Sequence, residues 1–451
     1  MTTPLKIKID SVKKLIRRNA INHLENLLLK LHPADIAIII KNLSDLDRKK
    51  IWNILGGKPI LSKVILELEE SQIIELFETM NSKEIAMLLN EMESDDAANI
   101  LMLVDEERIS EILSYMDKQK ASRVERLLRY PEDSAGFTMN PNFFALHEDT
   151  TVKEATKVLH KAENLEMVFY LYVVDSEGKL SGVVSLRQLI LNPPERKLKE
   201  VMTRDVIKVD VYTDREEVAK IVERYDLLAV PVVDTNNRLV GIITVDDVID
   251  IIREETTEDI YKMAGTTDDE LIIGNRSFWI AKVRSPWLLI TFFGELITAF
   301  IISYFHGKVQ EFAVLASFIP LIMAMAGNVG TQSSTILIRG LALGKITKKD
   351  MVKVIFKEVR VGVIMGVLLG LLLSIVAPIL GVDVKVGVVL GVAMLSAIIF
   401  ATFIGSIVPA TLIKMKLDPA VASSPLISTL NDITGLTIYF TISLLLLNIF
   451  V

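Results

Sequence analysis

From Pro286 to its end the chain carries five apolar stretches, near residues 286–305, 312–338, 355–380, 384–412 and 424–450. Each is long enough to cross roughly 30 Å of hydrocarbon as a helix of about 20 residues. A segment that enters lipid must satisfy its backbone polar groups internally, so this part of the chain is confined to packed helices. Charge divides at the same point. Seven Asp/Glu and eleven Lys/Arg follow Pro286, whereas 50 acids and 39 bases precede it, giving −11 before and +4 after. An acidic soluble part ahead of a membrane part excludes an ordinary soluble enzyme, and also a nucleic-acid binder, whose contact surface would be basic. With no cysteine, disulfides, zinc ribbons, iron–sulfur sites and thiol nucleophiles are excluded as well.

The hinge between the second and third stretches holds Arg339, Lys345, Lys348, Lys349, Lys353, Lys357 and Arg360 against Asp350 and Glu358. By the positive-inside rule that hinge is expected in the cytoplasm. Lys414 and Lys416 between the fourth and fifth stretches, and Lys282 and Arg284 before the first, agree with it, while the remaining loops hold Lys308 and Lys385. The expected topology is multi-pass in the cell (inner) membrane, N-terminus cytoplasmic, C-terminus outside. The opening "MTTPLKIKID" lacks the apolar core of a signal peptide.

Two polar segments interrupt the apolar pattern. "PLIMAMAGNVGTQSSTILIRG" contains Pro320, Gly327, Asn328, Gly330, Thr331 and Gln332, and "SSPLISTLNDITGLTIYF" contains Pro425, Asn431, Asp432 and Gly435. Pro and Gly permit broken helices or close helix approach, and irregular backbone is tolerated where it lines a cavity. Asp432 is the sharper feature. A carboxylate at membrane depth costs several kcal/mol unless it faces water or a partner, which makes it a functional candidate; the alternative is a bond to a neighbouring helix. Glu295 in the first stretch raises the same question.

In the soluble part Leu68, Met80, Met92, Val104 and Met116 recur every twelve residues, and Leu31, Leu43 and Leu55 keep that step earlier. Each is followed by polar and then apolar positions. Such short helices bury their faces only by stacking on neighbours, which predicts an α-helical superhelix over residues 1–130. A second repeat follows with an offset of 59 residues, relating Asp175 to Asp234, Gly182 to Gly241 and Ser185 to Thr244. Each copy reads helix, apolar strand, Asp-containing hairpin turn, strand, then a helix opened by Ser or Thr. The copies span 135–198 and 199–253. A charged helical linker, 254–285, leads into the membrane part, and Glu254, Glu255, Glu258 and Asp259 crowd its start behind Asp246, Asp247 and Asp250. One reading is a solvated helix face. The other is that a cation bridges these carboxylates, and Mg²⁺ suits it, taking oxygen ligands one or two carboxylates at a time while keeping waters.

The 59-residue repeat resembles a tandem pair of cystathionine-β-synthase-type (CBS) domains, regulatory modules that commonly sense adenine nucleotides such as ATP. Thr244 and Asp247 in the second copy match the family's ribose-contacting pattern. Gln188 follows Ser185 in the first copy where an Asp is expected, so the second copy rather than the first is the expected nucleotide site. The order of parts, with "GNVGTQ" and "LNDITG" in the spans, is similar over the whole length to MgtE-type magnesium channels or transporters. That resemblance implies a multidomain α-helical membrane protein: a cytosolic superhelix, an α/β CBS pair, a connecting helix and five transmembrane helices. It also implies a homodimer with the ion path between two membrane domains and Asp432 in the pore. The family's cytosolic part binds Mg²⁺ between its domains and closes the gate when internal Mg²⁺ is high. Positions suited to that role are Asp95 and Asp96 on the superhelix, Asp226, Asp247 and Asp250 on the second CBS copy, and Glu254, Glu255, Glu258 and Asp259 on the connector.

Elementary chemistry is consistent with this. Mg²⁺ dehydrates reluctantly, so a pore would hold it through waters, using a carboxylate ring with Asn328, Gln332, Asn431 and backbone carbonyls. No nucleotide-hydrolysing loop is needed, because two charges moving inward gain roughly 4.6 kcal/mol per 100 mV; "RGLALGKIT" lacks the Walker pattern. The competing expectations are a CBS-regulated transporter of another divalent cation or of an organic solute, and a membrane hydrolase. The solute carrier would more often carry ten or more spans with repeated halves. The hydrolase would want a metal-binding HExxH or an activated Ser or Cys, and the chain has no cysteine and five histidines, none paired on a span.

Overall fold

The computed structural model describes residues 3–161, 170–267, 277–308, 312–347, 349–422 and 424–450. The chain divides into two compact units, Met1–Arg253 and Glu254–Val451.

The first unit opens with ten short helices: α1 Thr3–Arg17, α2 Ile21–Leu28, α3 Pro33–Lys41, α4 Asp45–Leu55, α5 Ile60–Ile65, α6 Glu70–Glu78, α7 Ser82–Asn90, α8 Ser94–Leu101, α9 Glu106–Tyr115 and α10 Lys118–Leu127. The twelve-residue step has a local cause. Leu68, Met80, Met92, Val104 and Met116 each stand immediately before the residue that caps the next helix, so one apolar anchor and one polar cap start every turn of the superhelix. Glu69 with Gln72 and Asn81 with Glu84 form reciprocal capping boxes, satisfying amide groups that a helix start leaves unpaired. No helix here is long enough to be stable alone. They share one core from Ile9 to Ile251, which continues into the second CBS copy.

The two CBS copies repeat each other in three dimensions. α11 Ala135–Thr138 and α12 Val152–Leu159 accompany a sheet of β1 Ala145–His147, β2 Tyr170–Val174 and β3 Leu180–Ser185, followed by α13 Leu186–Leu191. α14 Leu198–Val201 and α15 Arg215–Tyr225 accompany β4 Val209–Asp210, β5 Ala229–Val233 and β6 Leu239–Thr244, followed by α16 Val245–Ala264. In each sheet the first pair is parallel and the second antiparallel, and a register shift falls at Val173/Val174 and again at Val232/Val233. The hairpin aspartates do what their position suggests: Asp175 Oδ1 accepts from the amides of Glu177 and Lys179, and Asp234 Oδ1 from those of Asn236 and Arg238. The copies also interlock. A Cβ on Gly241 would lie 2.6 Å from Met139 Cγ, and one on Gly182 would lie 2.5 Å from Met202 Sδ. The methionine that opens each copy therefore packs on the strand glycine of the other.

Among the described residues of the second unit five helices are long and apolar enough to cross a membrane: α17 Ser277–His306, α19 Ile319–Ala342, α20 Met351–Ile379, α21 Val384–Lys414 and α22 Ser424–Phe450. A short helix, α18 Phe312–Ser317, precedes α19. Pro320 and Pro425 sit in the first turn of α19 and α22, where a missing amide hydrogen costs nothing. The first long helix starts at Ser277 and runs through Pro286, earlier than hydropathy alone marks it. The segment 254–285 is not one helix among the described residues: α16 ends at Ala264, Gly265 follows with φ +77°, and Ser277 already belongs to α17.

Glycine serves close approach rather than helix breaking. A Cβ on Gly405 of α21 would stand 2.2 Å from the carbonyl oxygen of Gly330 on α19. A Cβ on Gly330 would stand 3.1 Å from the Ala401 carbonyl oxygen, so α19 and α21 touch backbone to backbone, as small residues allow in lipid.

Candidate functional site

The soluble site is built where α8 begins. Ser94, Asp95 and Asp96 occupy its first turn, where a helix dipole favours negative charge. That accounts for one carboxylate better than for several. Asp95 is only 5% exposed, and its Oδ1 and the Ser94 hydroxyl have no hydrogen-bond partner. Burial, followed by the charges of Asp96, Asp247 and Glu93, holds the Asp95 carboxyl well above the ordinary carboxylate range. Asp96 is pushed up to about 7 by burial and by Asp247, Glu93 and Asp246. Asp247 is raised chiefly by burial, with Asp246 and Asp250 adding to it. Lys120 Nζ donates to the carbonyls of Asn90 (3.0 Å) and Met92; burial lowers it, against the pull of Glu93, Glu91, Asp96 and Asp95. Glu93 accepts from Asn140. The superhelix and the start of α16 thus face each other with an excess of negative charge, Asp95 buried and Asp96 and Asp247 half-buried, which a cation would relieve.

No group of three or more His, Asp or Glu side chains converges into a closed ligand set among the described residues. An open set of one or two carboxylates is what a hydrated Mg²⁺ takes, and the orphaned Asp95 Oδ1 and Ser94 Oγ are suitable oxygen donors. The other candidates lie apart in role. Asp226 is the left-handed C-cap of α15. Glu258 pairs with Lys262 at 2.6 Å, and Lys262 pairs in turn with Asp418 at 2.8 Å. Glu254, Glu255 and Asp259 also lie on α16, as Asp250 does.

The CBS pair contains a cleft of about 530 Å³ whose walls include Tyr170, Ser185, Arg187, Gln188, Asp205 and Pro231. Thr244 and Asp247 do not line it. Thr244 Oγ1 donates to Asp247 Oδ2 at 2.6 Å and the Thr244 amide donates to the same oxygen at 3.0 Å. Ser185 and Gln188 make the matching contacts, 2.8 Å from the Ser185 amide and 3.1 Å from its hydroxyl to Gln188 Oε1. The same sequence pattern therefore closes a helix start in both copies, and Ser185 and Gln188 also line the cleft. Tyr170, Arg187 and Asp205 carry no signal that sequence reading could isolate.

In the membrane unit, Asp432 on α22 and Glu295 on α17 bring their carboxyls within hydrogen-bonding reach of each other. Gly294 makes this possible: a Cβ there would lie 2.0 Å from Thr429 Cγ2, one turn before Asp432. Asn328 and Gln332 are exposed one turn apart on α19. Asn431 is turned inward, fully buried, with both amide atoms unpartnered and Nδ2 1.8 Å from where a Gly330 Cβ would be. Sequence reading does not single out the role of Glu358, which is buried on α20 and accepts from the Ser333 hydroxyl at 3.0 Å.

A superhelix, a CBS pair and, among the described residues, five long apolar helices carrying a carboxyl pair define a multi-pass membrane protein with a CBS-containing soluble part. Family profiles agree: "Divalent cation transporter" (MgtE) matches residues 319–442, "MgtE intracellular N domain" 31–133, and "CBS domain" 135–194 and 198–254. The magnesium transporter MgtE of Bacillus subtilis is 38% identical over 430 residues, 95% of each chain. That of Thermus thermophilus is 37% identical over 72% of this chain and 73% of its own. A crystal structure of the soluble part of a magnesium transporter matches at TM-score 0.50 and 32% identity, covering 56% of this chain and 99% of that one. The cytosolic domain of the Mg²⁺ channel MgtE in complex with ATP matches at TM-score 0.51 and 33% identity, covering 54% and 99%. The chain belongs to the MgtE magnesium transporter family.

Proposed function

We propose that the protein conducts Mg²⁺ into the cell down the membrane potential, and that Mg²⁺ bound to its acidic soluble part shuts the path. The observation that carries the regulatory half is the buried charge at α8 and α16, where Asp95, Asp96 and Asp247 crowd together beside Lys120. Like charges disfavour the compact arrangement when the ion is scarce; bound Mg²⁺ reverses that. A ligand shifts such an equilibrium only by its differential affinity, so several sites act together, with Asp226, Asp250, Glu254, Glu255, Glu258 and Asp259 as further contributors.

In the path, Asp432 is the ligand for a hydrated ion, with Asn328, Gln332 and Asn431 supplying polar surroundings. The exposed amides of Asn328 and Gln332 would be costly facing lipid, which supports a homodimer in which a second copy covers them. The basic hinge after α19 supports an N-terminus in the cytoplasm and a C-terminus outside. The CBS cleft takes an adenine nucleotide, a reading supported by a relative whose cytosolic domain is in complex with ATP, with Arg187 available for phosphate and Tyr170 for the base. Thr244 and Asp247 remain the alternative contacts.

Flux into liposomes tests the reading. The reconstituted protein takes up Mg²⁺ with an inside-negative potential, and Asp432→Ala abolishes uptake while leaving the dimer, measured by mass in detergent, intact. Unchanged uptake in that variant removes Asp432 from the path.

A further inference from the structure

The membrane end of α20 carries a charge pattern that transport does not use. Arg339, Lys345, Lys349, Lys353, Lys357 and Arg360 are all exposed, and none forms a salt bridge among the described residues. The two acids of this stretch are engaged elsewhere. Asp350 accepts from the Thr347 hydroxyl at 2.5 Å, and Glu358 is buried against Ser333. At the surface the six cations face one acid, the half-exposed Asp350 beside Lys353.

Its place on the helix is equally specific. Val352 and Phe356 are 64% and 67% exposed, and Ile364, Leu368 and Leu372 continue the exposed apolar row at the same four-residue step. Arg360 occupies the vacant position of that row, between Phe356 and Ile364, while Lys353 and Lys357 each follow one of its members. An exposed apolar row on a span suits lipid chains, and these cations lie along its first two turns, where long basic side chains can reach headgroups while their stems stay on apolar surface. Topology alone requires positive charge in the hinge. It does not require cations in register with the apolar row, with Glu358 on the same helix turned inward.

We propose that Lys353, Lys357 and Arg360, with Phe356 between them, form a binding surface for anionic phospholipid headgroups. The occupant is the bilayer itself, selected by charge complementarity: a phosphodiester lipid with net negative charge in preference to a zwitterionic one.

The test uses the full-length protein. In native mass spectra from mild detergent, the wild type retains phosphatidylglycerol over phosphatidylcholine, the preference fades with salt, and K353Q/K357Q/R360Q lowers phosphatidylglycerol retention by about fivefold per cation removed. A second reading does not depend on that variant. Because the chain has no cysteine, Phe356→Cys gives a single labelling site; a bimane dye there is quenched more by brominated phosphatidylglycerol than by brominated phosphatidylcholine at equal mole fraction. Equal quenching by the two lipids, or undiminished phosphatidylglycerol retention in the triple variant, overturns the proposal.

Discussion

Asp432 and Glu295 show how a single carboxyl acquires its role from a neighbour 137 positions away in sequence. Neither is unusual in composition, and only the packing of α17 on α22 pairs them. Two carboxyls that close repel when both are charged, so a divalent cation fits between them better than water does. We predict that Glu295→Gln weakens Mg²⁺ uptake by less than Asp432→Ala does, measured as initial flux in the same liposomes; an equal or larger loss would make Glu295 the primary ligand. The soluble acids give a pH test. Asp96 is raised from its ordinary 3.8 to about 7. A carboxyl raised on folding binds its proton more tightly in the compact state, so its contribution favours compactness as pH falls and is lost as pH rises through about 7. In magnesium-free solution, protease protection of the soluble part should therefore rise between about pH 8 and pH 6, with saturating Mg²⁺ flattening the dependence. Protection that fell with acid would contradict the charge arrangement.

At the scale of elements, what is legible in the sequence is what repeats. The twelve-residue step marks the superhelix because each anchor precedes a cap, and the 59-residue offset marks the CBS copies down to the shared register shift at Val173 and Val232. The cleft is not legible, because Ser185–Gln188 and Thr244–Asp247 satisfy the same capping geometry, and its walls come together only through tertiary packing. The glycines of α19 and α21 permit either close approach or breakage, and the structure shows the first. Gly405→Ala would press a methyl on the Gly330 backbone, which has no flexible end to yield. We expect about 1–3 kcal/mol of destabilisation, read as a lower melting temperature of the detergent-solubilised protein. Asn81→Ala, which opens the capping box of α7, should cost about 1 kcal/mol; a change smaller than a few tenths would show that stacking alone holds that helix.

At the scale of the whole molecule, we propose that the ion closes its own path by neutralising the charge at α8 and α16. Mg²⁺ uptake into liposomes, measured while the concentration on the side of the soluble part is stepped upward, addresses this directly. The wild type should show uptake that falls steeply as that concentration rises, and Asp95→Asn combined with Asp247→Asn should need roughly fivefold more Mg²⁺ for the same closure, or close more shallowly, with uptake at low Mg²⁺ retained. Closure at the same concentration and steepness in both proteins would contradict the account and place the sensor within the membrane unit.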